Sequence, residues 1–371
     1  MKIGVLRETE TAERRVAITP HIVKRLTQRG HSVMVEERAG ARAGLSDDAY
    51  RAEGATVVGR ADVFESDLVA TVNAPRDSSL RHTMVLGLLR PLEDPGQMSS
   101  YASRGIAGLA FELVPRTTRA QAMDALSSQA TVSGYQAALE GAKACDRFFP
   151  MLTTAAGTIP PARALVLGAG VAGLQAIATC RRLGAVVSAF DVRAAAAEQI
   201  RSLGASFIES ELEPQDAASN GGYARALETD AEERVRASLA GPVATADVVI
   251  ATAAIPGKEA PLLITTAMVE SMRPGSVVVD VAATTGGNCA LTKPGEAFEH
   301  GGVHVIGYTD LPSRKPYDAS QMYSRNVAAL IEIIGPDGFL DLSDDILNQV
   351  TVTYGGEVRH PRIRELVAGG L

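Results

Sequence analysis

Six consecutive residues, Gly168-Ala169-Gly170-Val171-Ala172-Gly173, have the glycine spacing and chain context that suit phosphate binding. They follow the apolar run RALVL and open the helix-patterned VAGLQAIATCRRL, which stops at Gly184. A second apolar run then ends in Phe190-Asp191, with Asp191 eighteen positions past Gly173. That is near the spacing at which an acidic residue meets an adenosine ribose. Gly168 permits the tight turn, Gly170 lets backbone amides approach a diphosphate, and Gly173 lets helix and strand pack closely. The helix N-terminus adds aligned N–H groups and partial positive charge. Asp191 accepts from ribose hydroxyls and repels a 2′-phosphate. Arg193 would welcome that phosphate, but Asp191 stands ahead of it, so the reading is NAD(H). The opening turn of the chain, GVLRETETAERR, has no such glycine series. One dinucleotide site per chain is expected.

A polar stretch, residues 209–234, separates a strand from the next helix and far exceeds the usual two-to-six-residue link. It reads as a solvated insertion or as a hinged lid, with Gly221-Gly222 as hinge and Tyr223 as the closing residue.

These groups need a scaffold, and the chain alternates short apolar runs with helical patterns throughout. KIGVL (2–6), SVMVE (32–36), ATVV (55–58), DLVATV (67–72), TMVLGL (83–88) and IAGLAF (106–111) read as buried strands. RALVLG (163–168), AVVSAF (185–190), ADVVIATA (246–253), SVVVDVA (276–282) and VHVIG (303–307) repeat the theme. Thr19-Pro20 supplies an N-cap and a Pro at N1 for the first helix. Near-continuous apolar strands separated by helices predict parallel sheets covered on both faces. The fold expected is α/β: two doubly wound Rossmann-like domains joined by a long helix over Thr117–Lys143. The first domain is expected to be discontinuous, residues 1–130 plus 325–371, and the NAD(H) domain to span 131–324. On that connecting helix Gln121, Asp124 and Ser128 would share one face, beside Ser127.

Composition narrows the rest. With 36 Lys+Arg against 43 Asp+Glu, a net charge of −7 gives no basic nucleic-acid surface. Three cysteines without a C-x-x-C pair support neither a disulfide framework nor a zinc site, and no metal is expected. Cys180 falls on an apolar helix face and reads as a small core residue. No apolar run is long enough to span a bilayer, and the N-terminus lacks the order of a signal peptide. A soluble, cytoplasmic chain is expected.

VPRTTRAQAMDALSSQATVSGYQAAL, FFPMLTTAAGTIPPARALVLGAGVAGLQAIATCRRLGA, FDVRA, GGYAR, IPGKEAPLLIT and RPGSVVVDVAATTGGNC resemble the NAD(H)-binding component of proton-translocating transhydrogenase. They are also similar to alanine dehydrogenase, which shares the fold. The resemblance runs from Arg15–Pro20 to Gly287-Asn288. Alanine dehydrogenase moves protons as well as hydride, which calls for a cation for the carboxylate and a titratable acid/base. By resemblance those are a Lys, here Asn73, and a His, here Leu88, while Arg15 is kept. Among the six histidines (21, 31, 82, 300, 304 and 360), His82 comes nearest but precedes its strand. Alanine dehydrogenase is therefore the second reading, and a non-catalytic NAD(H) sensor the third.

Transhydrogenation moves a hydride between two nicotinamides and needs positioning rather than acid/base groups. The resemblance implies that Gln121 bridges the nucleotides, that Arg116 pairs with Asp124 beside the ring, and that Ser127 and Ser128 hold carboxamide or ribose. It implies that Val171, Asp191, Val192, Arg193, Gly222 and Ala254 line the NAD site and that Tyr223 is the lid residue. NADP(H) would sit on a partner component. The chain would be a homodimer docked peripherally, on the cytoplasmic side of the inner (plasma) membrane, on the components that translocate protons. One departure is Thr284, where the family usually carries Glu before Gly286-Gly287-Asn288.

Overall fold

The computed structural model describes residues 1–209, 229–255 and 257–369. The chain divides into two units, Met1–Gln129 with Ser313–Leu371, and Ala130–Pro312.

In the first unit β1 (Lys2–Val5), β2 (Ser32–Glu36), β3 (Thr56–Val58), β4 (Leu68–Asn73), β5 (Met84–Leu88) and β6 (Ala107–Ala110) form one sheet. Their order is β3-β2-β1-β4-β5-β6, with every pair parallel. Side chains alternate between two cores. Leu68, Ala70, Met84 and Leu86 meet Tyr323, Val327 and Leu330 of the helix Pro316–Ile334. Val69 and Val85 face Met98 and Tyr101 of the helix Pro95–Ser103. Both faces are thus covered, which is why these strands read as continuous apolar runs. Pro20 starts the helix Pro20–Gln28 as expected, but the Thr19 side chain does not cap it. Its hydroxyl lies 3.3 Å from both Gln321 and Ser324.

The strand order reverses between β1 and β4, which opens a crevice at their carboxyl ends. Polar side chains fill it. Arg15 is 8% exposed and grips Glu13 through Nε (2.8 Å) and Nη2 (2.6 Å), and donates through Nη1 to Gln129 Oε1 at 2.8 Å. Glu13 also accepts from Ser313 Oγ (2.8 Å) and Asn73 Nδ2 (3.1 Å). Glu8 accepts from the Thr71 hydroxyl at 2.9 Å and the Val72 N–H at 2.6 Å. Tyr323, fully buried, donates to the Thr71 carbonyl at 2.9 Å. The two carboxyls titrate in opposite directions. Burial, aided by the nearby Glu13 charge, pushes Glu8 up to about 7 against the pull of its hydrogen bonds. Burial also opposes ionisation of Glu13, but Arg15 overrides it and brings that group down to about 2.

In the second unit a hairpin, β7 (Leu152–Thr154) and β8 (Gly157–Ile159), precedes a seven-stranded sheet. The sheet comprises β9 (Arg163–Leu167), β10 (Val186–Phe190), β11 (Ser206–Phe207), β12 (Val248–Ala251), β13 (Val277–Asp280), β14 (Ala297–His300) and β15 (Val303–Ile306). The order is β11-β10-β9-β12-β13-β15-β14, parallel except for β14 against β15. The antiparallel edge β14, sequence AFEH, has no buried residue, so no apolar run announces it. The core again splits by alternation. Ala164, Val166, Val248 and Ile250 pack with Ile177 and Cys180 of the helix Val171–Arg182. Leu165, Leu167, Val249 and Ala251 pack with Leu239 and Val243 of the helix Thr229–Thr245. That helix begins inside the stretch expected to be loop as far as residue 234, because DAEERVRASLA carries an apolar stripe at Ala231, Val235 and Leu239.

The helix Ala125–Ala144 contains the division between the units. On it, Gly134 meets the first turn of the helix Val171–Arg182 so closely that an added Cβ would lie 2.0 Å from the Ala172 carbonyl oxygen.

Two outcomes follow. Gly134→Ala overpacks that contact and should cost on the order of 1–3 kcal/mol, read as a lowered thermal midpoint; an unchanged midpoint would contradict the close approach. For Glu8, a folded-state pKa above the unfolded 4.5 means stability that is full below about 4.5 and lost as pH rises through about 7. Glu8→Gln should therefore gain on the wild type between pH 5 and pH 8, by on the order of 3 kcal/mol at most, in urea midpoints. Parallel pH profiles would rule out a burial-raised carboxyl.

Candidate functional site

The glycine turn sits where the second sheet reverses order, between β9 and β12. Ligands of open α/β sheets bind at the carboxyl ends of the strands at such a point. Gly168 adopts φ +94°, and its N–H donates to the Phe190 carbonyl at 2.8 Å. A Cβ on Gly173 would lie 1.8 Å from the Gly168 carbonyl oxygen, so only glycine lets the helix start so near the strand. Gly170 holds the N-cap position without a side-chain cap, and a Cβ there would meet no atom within 4 Å. Val171, 43% exposed, follows it. Backbone N–H groups of this first turn are thus presented past the end of β9, an arrangement that fits a diphosphate.

Asp191, at the end of β10, is 6% exposed. Its Oδ2 accepts from the Ala169 N–H at 2.7 Å and Arg193 Nη2 at 2.8 Å; its Oδ1 accepts from Arg193 N–H (2.8 Å) and Nε (2.9 Å). Burial works against its charge, but the Arg193 and Ala169 hydrogen bonds prevail and hold it below the usual carboxylate range. Arg193 is thereby drawn onto the Asp191 carboxylate. Val192 is half-buried between them in sequence, and Ala254, just beyond β12, is exposed. Thr252, which no sequence signal marked, ties β12 to the turn: its N–H donates to the Leu167 carbonyl at 2.7 Å and its hydroxyl to that of Gly168 at 3.1 Å.

The polar residues expected on one face of a long helix are arranged differently. Gln121–Met123 form a separate 3-10 turn, Asp124 leaves helical geometry at ψ 80°, and the helix proper starts at Ala125. The cause is Asp124 itself. Its Oδ1 accepts from the Ser127 N–H at 2.9 Å and its Oδ2 from the Ser127 hydroxyl at 2.6 Å, so it caps the helix that a continuous run would have crossed. The helix expected to begin at Thr117 is thus capped by Asp124 and starts at Ala125. Gln121 and Arg116 are exposed. Ser128 donates to Asn326 Oδ1 at 2.7 Å, while Asn326 Nδ2 donates to the Ala122 carbonyl at 2.9 Å. Asn326 therefore clamps the 3-10 turn to the start of the helix. It lies in NVAALIEII, a largely apolar part of the helix Pro316–Ile334.

Gly222 and Tyr223 lie outside the described residues. Burial pushes the Cys180 thiol up to about 12 and that of Cys289 to about 11, far from nucleophilic thiols. Among the described residues no cluster of His, Cys, Asp or Glu is placed to hold a metal ion, and no helix is long and apolar enough to cross a membrane. A cavity lined by Pro160, Arg163, Val186 and Thr245 opens at the amino ends of β9 and β10, away from the glycine turn.

Residues 4–133 match the N-terminal domain, and residues 137–361 the C-terminal domain, of the family described as alanine dehydrogenase/PNT. The chain is 43% identical to the NAD(P) transhydrogenase subunit alpha of Haemophilus influenzae, over 96% of this chain and 71% of that one. It is 41% identical to an NAD(P) transhydrogenase subunit alpha polypeptide of Rhodospirillum rubrum, over 98% of this chain and 99% of that one. The crystal structure of a Sinorhizobium meliloti transhydrogenase superposes with a TM-score of 0.86 at 39% identity, covering 97% of this chain and 99% of that one. An L-alanine dehydrogenase structure superposes with a TM-score of 0.84 at 25% identity, covering 100% and 99% respectively. The two structures superpose almost equally well, whereas the identity is higher to the transhydrogenase relatives. The chain belongs to the alanine dehydrogenase/PNT family, among the relatives of NAD(P) transhydrogenase subunit alpha.

Proposed function

We propose that the chain is the NAD(H)-binding component of a proton-translocating transhydrogenase and exchanges hydride with NADP(H) held on a partner component. The observation that carries this reading is the filled crevice of the first unit. Arg15 is committed to Glu13 and Gln129, and Asn73, where a dehydrogenase would place its Lys, donates to Glu13. An amino-acid dehydrogenase needs a cation for its substrate carboxylate and a proton carrier beside it. Bound NADH supplies a hydride that leaves C4 of one nicotinamide for C4 of another, so no heteroatom gains or loses a proton.

In this reading the protein binds and orients. The first turn after Gly168-Ala169-Gly170 holds the diphosphate, with Gly173 setting its depth. Asp191 takes the ribose hydroxyls while Val171, Val192, Arg193 and Ala254 line the nucleotide. Gln121, Arg116, Asp124, Ser127 and Ser128 serve the nicotinamide end, Gly222 joins the residues lining the nucleotide, and Tyr223 is the lid residue. The partners are a second copy of this chain, the NADP(H)-binding component and the membrane components through which protons move. The exposed Phe148, Met151 and Ile159 around the β7–β8 hairpin support association between copies.

The purified chain should bind NADH in preference to NADPH and should not reduce NAD+ with L-alanine. NAD+ reduction by L-alanine, followed by nicotinamide absorbance, would establish the dehydrogenase reading instead. Gln121→Asn should leave NADH affinity nearly intact and slow transfer to the partner's nucleotide by about 10- to 100-fold, the cost of a misplacement near 1 Å. Transfer at the wild-type rate would remove Gln121 from the site.

A further inference from the structure

Asp280 ends β13 and is fully buried. It accepts from the N–H groups of Ala282 (3.0 Å), Asn288 (2.7 Å) and Cys289 (3.0 Å), and from the Thr292 hydroxyl at 2.5 Å. The turn between them passes through Gly286 and Gly287 in left-handed conformations, and a Cβ on Gly287 would lie 2.8 Å from Asp280 Oδ2. The carboxylate therefore winds this loop around itself and fixes where Asn288 stands.

Asn288, also fully buried, uses its side-chain amide on two neighbouring segments. Oδ1 accepts from the Ala253 N–H at 3.0 Å, and Nδ2 donates to the carbonyls of Ala253 (2.9 Å) and Pro261 (2.8 Å). Both polar groups of Ala253 are thus held by one side-chain amide. Ala253 directly follows Thr252, which is bonded to Leu167 and Gly168, and lies 3.1 Å, at its nitrogen, from a Cβ placed on Gly168. Asp would set an oxygen against two carbonyls, and Ala would leave three backbone groups without this partner.

We propose that Asn288, held in place by Asp280 and Thr292, is a positioning residue that sets the β12 end of the nucleotide crevice and thereby tunes affinity for the nicotinamide half of NAD(H). The inference rests on the NAD(H) reading of the glycine turn. Doubly wound sheets bind a dinucleotide as two mononucleotide halves on either side of the reversal point. Gly168–Gly173 and Asp191 serve the adenosine half from β9 and β10, and β12 begins the other half. A fault at Ala253 should consequently be felt by NADH and hardly by ADP.

The test is titration of NADH and ADP against the intact wild-type chain and against Asn288→Ala, with thermal midpoints alongside. Asn288→Ala should raise the NADH dissociation constant about tenfold and that of ADP by no more than about twofold, in line with losing one or two hydrogen bonds that hold the backbone at one end of the crevice. Should Asn288→Ala not fold, Thr292→Val removes one donor from Asp280 and should weaken NADH alone by a smaller factor, with Thr292→Ser restoring wild-type binding. Parallel weakening of NADH and ADP, or unchanged NADH binding, would overturn the proposal and leave Asn288 a residue of the fold only. A wild-type chain that binds neither ligand would instead overturn the nucleotide reading beneath it.

Discussion

The Gly168 carbonyl oxygen occupies the place where a Cβ on residue 173 would stand, 1.8 Å away. That contact brings the helix Val171–Arg182 in beside β9 and aims its first turn out of the sheet. Other features of the second unit answer to it. Gly134 allows the helix Ala125–Ala144 to reach Ala172, and Thr252 bonds the turn from the β12 side. Asp191 secures the Ala169 N–H and, through the same carboxylate, restrains Arg193. Backbone N–H groups act as a phosphate cradle only when they are this rigid, because their partial charges must not be lost to a side chain or a shifted turn.

The first unit carries the same architecture to a different end. Its crevice, also at a reversal of strand order, is occupied by the protein's own charges. Buried ion pairs add little net stability, yet removing one partner leaves an uncompensated charge at a cost of about 3–5 kcal/mol. Glu13 and Arg15 are therefore interdependent. With Asn73 rather than a cation at the end of β4, Arg15 carries the task of neutralising Glu13, and burial drives Glu8 toward its protonated form. The hydrogen-bonding groups of the crevice are thus satisfied largely by one another.

How much was legible beforehand depended on the range of the interactions. The central strands could be read because both of their faces are buried, so that RALVL and LVATV are apolar almost without interruption. The turn from Gly168 to Gly173 was legible because its requirements are local. The edge strand β14 was not, since a half-solvated AFEH looks like loop. Nor was the break at Asp124, where helix formers on both sides suggest continuity and one carboxylate, bonded to Ser127, decides otherwise. Glu8 and Glu13 lie in ETETAERR, which resembles a surface loop; the partners that hold them are distant in sequence, Thr71 and Val72 of β4 for Glu8 and Ser313 for Glu13. Asn326 and Asn288 act through equally non-local partners.

In the proposed function hydride passes directly between two nicotinamides, and no protein group takes or gives a proton. The most direct test uses NADH deuterated at both C4 positions, this chain, and an NADP(H)-binding transhydrogenase component in ordinary water. The deuterium that leaves NADH should be recovered in NADPH, with none released to solvent. Deuterium released to water, with none in NADPH, would rule out direct transfer.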